Sequence, residues 1–357
     1  MNEVRQLDFA NQHFYVGIDV HKKSWKVCLR KDQIELKTFS MSPQPQKLWD
    51  YMRQNYPNGV YHSVYEAGFC GFWIHRSLKA LGFDNIVINP ADVPTTAKEK
   101  DQKCDGIDAR KLARELENQS LCAVYVPDEF HQQLRTLTRM RRRQAQQRTR
   151  LKNRIKSFLH INGIELDPAY DKRNWSPAFI NWLKELEFSQ PLARECLDIY
   201  LEDLNLQKCQ IAKTIKQMRE SSKQPALKKI IGELLMSAPG IGFIAAMTLY
   251  SEIVDMRRFP NGDALNAFVG LVPSISASGD RHQSRGLSKR CNSHLRYLLV
   301  EAAWKARRLD PALMMSYDSY LEQMPPQKAI IRIARKLLAR IRHVWLTQRP
   351  YQSGIVE

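Results

Sequence analysis

The sequence predicts an α/β domain at the N-terminus, followed by two mainly helical domains. Three observations carry this. Short β-rich runs alternate with helical patterns over residues 14–120. Residues 131–160 hold ten Lys or Arg, no Asp or Glu, and neither Gly nor Pro, so a long helix is expected there. Beyond residue 227, apolar residues recur at helical spacing around Gly-rich turns. A chain of 357 residues is too long for one ordinary core. Domains are therefore expected at 1–128, 129–226 and 227–357.

The elements follow in order. Phe14–Val20 and Trp25–Leu29 read as strands joined by a turn at His21–Lys23, with Ile34–Phe39 as a third strand. A helical pattern starts at Pro43. Val60–Tyr65 is a strand, and Phe72–Leu81 is a helix closed by Gly82 in the favoured cap position. Ile86–Ile88 is a short strand, and Asp108–Asn118 a helix. Three leading strands, then helix–strand alternation, predict a mixed sheet with helices on both faces. After the basic helix, Gly163–Pro177 is a loop. A second long helix at about 191–220 carries Leu197, Leu201, Leu204, Ile211, Ile215 and Met218 at heptad spacing, with Lys208 the one polar seam position. The two long helices suggest an antiparallel coiled-coil hairpin that could dimerise. In the third region, Pro239-Gly240-Ile241-Gly242 separates two apolar helical patterns. Phe268–Arg290 reads as an extended loop, and Leu295–Arg308 and Lys328–Leu346 as basic amphipathic helices.

Composition narrows the function. Lys plus Arg number 55 against 37 acids, a net charge of +18. Such an excess points to a polyanionic partner, nucleic acid before an acidic membrane surface. No apolar run approaches the ~20 residues of a membrane helix, and Met1–Phe14 has no signal-peptide core. The seven cysteines are scattered without a Cys-x-x-Cys pair, so neither a zinc knuckle nor a disulfide framework is indicated. A cytoplasmic, nucleoid-associated protein is expected.

Four acids are the first candidates for chemistry. Asp19 and Glu66 each end a hydrophobic strand, where an acid costs β-propensity. Asp105 and Asp108 share one face of a helix's first turn. Singly, each also reads as a turn residue or a helix cap. Together they can converge at one edge of a sheet, and hard divalent cations take such oxygen ligands. Strand-Asp, strand-Glu, helix-Asp behind three leading strands is the ribonuclease-H-like pattern of phosphoryl-transfer enzymes acting on nucleic acid. Arg139, Arg141, Arg142, Arg143 and Arg148 of the basic helix are candidate phosphate contacts. Gly240 and Gly242 resemble the helix–hairpin–helix type of backbone contact to DNA, or form a plain helix–helix turn. Ser274, Ser276 and Ser278 lie in a basic stretch with Arg281, Arg285 and Lys289. The residue types alone also fit an exposed linker there, since no general base is evident.

Gly17-Ile18-Asp19-Val20-His21-Lys22, Tyr65-Glu66-Ala67-Gly68, Lys103 to Ala109, Pro239 to Gly242, Gly270 to Gly279 and Leu287 to Arg296 occur in an order and spacing that resemble the insertion-sequence 110 transposases. The resemblance covers residues 14–347. It implies an α/β ribonuclease-H-like N-terminal domain of the Holliday-junction-resolvase branch, a helical coiled-coil insertion and a mainly α C-terminal transposase domain. It implies that Asp19, Glu66, Asp105 and Asp108 form a tetrad binding Mg²⁺, with Mn²⁺ the other candidate. Ser278, five residues after Pro273 and directly before Gly279, would be the nucleophile. Excision and insertion would be guided by a structured noncoding (bridge) RNA pairing with target and donor DNA. Protomers would join as a dimer or tetramer through the coiled coil. Two positions depart from the family pattern: Cys104 where Thr is frequent, and Ala277 where Ser or Glu is frequent. Two other readings compete: a resolvase-type endonuclease using the acids alone, and a non-catalytic basic scaffold.

Overall fold

The computed structural model describes residues 7–94, 105–166, 168, 170, 175–278 and 281–354. The side chains of 105, 106, 275–278 and 281–285 lie outside the described residues. The chain forms two compact units, Met1–Val126 and Pro127–Glu357. The stretches expected as separate domains at 129–226 and 227–357 share the second unit.

The first unit is built on a five-stranded sheet. Its strands are β1 (His13–Val20), β2 (Trp25–Lys31), β3 (Ile34–Met41), β4 (Val60–Glu66) and β5 (Asp84–Ile88), ordered β3-β2-β1-β4-β5. β1 to β3 form an antiparallel meander, and β4 and β5 join β1 in parallel. Alternation along β1 sends Phe14, Val16 and Ile18 into one core with Leu48 and Met52 of α1 (Pro45–Asn55) and Ile74 and Leu78 of α2 (Trp73–Ala80). Burying each such side chain contributes about 1.5–3 kcal/mol. α1 begins at Pro45 rather than Pro43, with the ring at a first-turn position that needs no N–H. After α2, Gly82 takes the left-handed φ of 97° and Phe83 N–H bonds back to the Leu78 carbonyl, as the Gly signal predicted. α3 (Asp105–Glu117) covers the opposite face and starts one turn earlier than predicted.

The second unit is helical apart from one hairpin. α4 (Glu129–Ile161) starts on an Asp128 cap, whose side chain accepts from His131 N–H at 2.8 Å. α5 (Pro177–Glu185) follows, then α6 (Pro191–Ser221). α5 was not predicted, although Ser176-Pro177 is a start signature. α4 and α6 run antiparallel. Leu151, Ile155 and Leu159 meet Leu197, Leu201 and Leu204 at one end, and Leu134 shares a core with Met218 at the other. Thr214, not Ile215, fills one seam position.

A helical segment over 225–237 leads to the Gly240 turn and α7 (Phe243–Ile253), then α8 (Gly262–Val269). The stretch expected as one extended loop holds the end of α8 and an antiparallel hairpin of β6 (Pro273–Ser278) and β7 (Arg281–Leu287). Ser274-Ile275-Ser276-Ala277-Ser278 alternates polar and apolar residues, and Gly279-Asp280 is a two-residue hairpin signal; both were submerged in the Ser-rich composition. α9 (Ser293–Leu309), α10 (Pro311–Leu321) and α11 (Pro326–Thr347) complete the unit. Among the described residues, no helix is long and apolar enough to cross a membrane.

Candidate active site

Asp19 is the next-to-last residue of β1, and Glu66 the last of β4. Because Phe14, Val16 and Ile18 face α1 and α2, Gly17 and Asp19 face α3. On β4, Val64 packs with Ile88 and with Leu112 of α3. Glu66, two residues on, therefore faces the same side. Ile18 stands opposite Tyr65 in the parallel register, so Asp19 and Glu66 are neighbours one step further along.

Gly17 brings α3 against this end of the sheet. A Cβ at Gly17 would stand 2.2 Å from the Ala109 carbonyl oxygen and 2.4 Å from the Ala113 nitrogen. Ala109 and Ala113 are fully buried beside Cys28, small enough for the close approach. The direction of α3 is fixed at its far end. Glu117 accepts from Arg30 Nε at 2.8 Å and from Gln33 N–H at 2.6 Å, and Arg30 pairs with Tyr15 near the start of β1. α3 thus runs opposite to β1, and its first turn, with Asp108, lies towards the Asp19 end. Asp108 and Glu66 are half-buried. Asp19 is 22% exposed, and its Oδ2 lies 3.0 Å from His21 Nε2.

The structure thus brings Asp19, Glu66 and Asp108 to one end of one face. Among the described residues, no group of three His, Cys, Asp or Glu closes into a metal site. Asp105 belongs to the first turn of α3, and its side chain lies outside the described residues. The donors here are carboxylate oxygens, the chemistry a hard divalent cation takes.

Ser278 is the last residue of β6, opposite Arg281 across the hairpin. The side chains of Ser278, Arg281 and Arg285 lie outside the described residues; Lys289 is exposed just after β7. The base of the hairpin is pinned. Arg296 Nη1 donates to the carbonyls of Ser288 at 2.7 Å and Gly270 at 3.2 Å. Gly270 has φ 81°, and a Cβ there would meet Cys291 Sγ at 2.5 Å.

The basic helix divides by role. Arg139 is bidentate on Glu252 of α7, at 2.6 and 2.9 Å, so it holds the fold. Arg135 donates to the Ser251 and Glu252 carbonyls. Arg143 is exposed, while Arg141, Arg142 and Arg148 are half-buried. Sequence reasoning missed Glu252. It is 1% exposed and also accepts from Asn292 Nδ2 at 2.8 Å. Burial pushes its carboxyl up, but Arg139, Asn292 and Arg135 outweigh this and hold it below the usual carboxylate range. The available signal was its place as the one acid in the apolar run Phe243–Ile253. Gly240 has φ 77° and sits 2.5 Å, by its absent Cβ, from the Ala302 carbonyl; Gly242 caps α7 with open space around it.

A ribonuclease-H-like sheet ending in acids, in a chain of net charge +18, fits the class of phosphoryl-transfer enzymes of nucleic acid. Comparison with known proteins narrows the class. A DEDD transposase family model for IS110 elements matches residues 16–162, and one described as "Transposase IS116/IS110/IS902 family" matches residues 232–318. The chain is 31% identical to y4qE, a Sinorhizobium fredii protein bearing the name of a transposase, over 82% of this chain and 70% of that one. It is 26% identical to the transposase for insertion sequence element IS1533 of Leptospira borgpetersenii, over 82% and 85%. It is 28% identical to the transposase for insertion sequence element IS1111A of Coxiella burnetii, over 67% and 64%. The chain belongs to the IS110 family of transposases, enzymes that cut and rejoin DNA strands.

Proposed function

We propose that this transposase recombines DNA by joining two chemistries, an acidic tetrad of Asp19, Glu66, Asp105 and Asp108 and a nucleophilic Ser278. The observation that carries the reading is that Asp19 and Glu66 stand side by side on parallel strands, with α3 packed closely on β1 at Gly17. The order Asp, Glu, Asp, Asp matches the name of the DEDD family model. The four carboxylates would hold a divalent cation, Mg²⁺ or Mn²⁺, which when bound neutralises phosphate charge and favours ionisation of a nearby hydroxyl.

The chain's own residues do the rest. Ser278 Oγ attacks the phosphate. The Oγ–P bond forms, the P–O3′ bond breaks, and the serine proton passes to the leaving 3′ oxygen. The protein–DNA ester keeps the cut end and the phosphodiester energy for rejoining. Arg281, Arg285 and Lys289 stabilise charge on the pentavalent phosphate. A structured noncoding RNA pairs with target and donor DNA, leaving the protein to read backbone and shape. The basic face of α4 supports such contacts, with Arg143, Arg150 and Arg154 exposed. Protomers associate through the helical hairpin. Leu192, Ile199 and Leu206 recur every seven residues on α6 and are 52–68% exposed.

Replacing any one of the four acids by Ala is expected to lower recombination by about a hundredfold or more, with folding retained. Chelation of divalent metal is expected to stop the reaction, and RNA sequenced from the purified protein to be dominated by one element-encoded species. Full activity in an Ala variant removes that residue from the tetrad.

A further inference from the structure

We infer that a cleft in the second unit, between α4, α6, the Gly240–Gly242 turn and α9, holds one unpaired nucleotide of a nucleic-acid strand. The inference rests on the nucleic-acid reading above and specifies what this face takes. The cleft has a volume of about 560 Å³, within the range of pockets that enclose small ligands.

Its charge calls for an anion. Arg141, Arg142, Arg219 and Lys305 line it against one acid, Glu301. Arg139 also reaches it, but Glu252 takes that charge. Arg141 Nε and Arg142 Nη1 are buried without a hydrogen-bond acceptor. Buried donors of a charged group are costly unless something accepts from them. Burial, then repulsion from Arg148, push the Arg141 pKa below its usual value, so a counter-anion at this point would be stabilising. The first residues of α7, Phe243 to Ala245, also line the cleft, and Gly242 gives that helix end no side-chain cap. Its free amides and the positive end of the helix dipole add to the site.

The apolar walls decide between a duplex backbone and an unpaired nucleotide. The Arg142 guanidinium stands 4.9 Å over the Tyr297 ring, and that of Arg219 5.6 Å from the Phe243 ring. Tyr297 is 58% exposed, and Ile215, Ile244 and Leu298 extend the apolar surface. A duplex backbone presents phosphate and sugar, which gain nothing from such walls. A base taken out of the stack gains from both aromatic rings and guanidinium planes.

The test uses the full chain in EDTA, so that strands are bound and not cut. The probes are RNA and DNA duplexes carrying 2-aminopurine as a single bulged base, with fully paired duplexes as controls. The wild type is expected to bind the bulged probe more tightly than the paired one and to quench 2-aminopurine. Tyr297→Ala, at an exposed position, is expected to lose the quenching and to weaken bulge binding about 5- to 150-fold. Arg219→Gln with Lys305→Gln is expected to weaken binding with a shallower salt dependence. Whether RNA or DNA gives the quenching identifies the strand. Equal binding of bulged and paired probes, or quenching that survives both variants, overturns the inference while leaving nucleic-acid binding in place. Absence of binding to every probe overturns both.

Discussion

At position 17 a methyl group would overlap two backbone atoms of α3, and backbone cannot rotate away as a side-chain tip can. Gly17→Ala therefore has to lift α3 from the sheet. The expected cost is at or above the roughly 1–3 kcal/mol of ordinary overpacking. Recombination should fall with it, because the first turn of α3 moves away from Asp19 and Glu66. Thermal unfolding together with a recombination assay checks this; a variant as stable and active as wild type would show that α3 is not held there. Glu252 is the other decisive residue. Glu252→Gln removes the carboxylate charge that Arg139 grips with two hydrogen bonds, for an expected loss of about 2–3 kcal/mol, tempered by the 38% exposure of Arg139. Its folded pKa is depressed, so this stabilisation is complete above the unfolded value near 4.3 and fades as pH falls through the lower folded value. Urea unfolding should show the gap between wild type and Glu252→Gln at full size near neutral pH and closing as the pH falls below the ordinary carboxylate range.

At the scale of elements, the basic helix is expected to contact phosphate through part of its length. Each lost contact should flatten the log–log salt dependence of binding by roughly 0.7–0.9. Arg141, Arg142 and Arg143 changed together to Gln should weaken binding to unrelated sequences about equally, whereas an unchanged slope would mark the run as a solvated face. What the sequence disclosed at this scale follows from how local the signals are. β1, β2 and β4 were legible because alternation with Phe14, Val16 and Ile18 is a local pattern, and it also set Asp19 and Glu66 on one face. Gly82 closed α2 as a residue-level rule. Glu252 was not legible as a structural acid, since its partner Arg139 lies 113 positions earlier. The β6–β7 hairpin was hidden by serine-rich composition, while α5 and α10 went unread although Ser176-Pro177 and Asp310-Pro311 are start signatures. The close approach at Gly17 is tertiary, and nothing next to it in the chain announces it.

At the scale of the molecule, one unit carries the acids and the other carries Ser278 and most of the basic surface. In the proposed transesterification, the acids and Ser278 both take part. The direct measurement is a trapping experiment: donor DNA with Mg²⁺, the protein and its RNA, followed by denaturation and electrophoresis. Wild type is expected to give a slow-migrating DNA band that protease removes. Asp19→Ala and Ser278→Ala are each expected to bind the DNA and give no such band. An adduct at the wild-type level in either variant, or strand cleavage by wild type with no adduct at all, would contradict the claim; cleavage without adduct would leave hydrolysis by the acids alone.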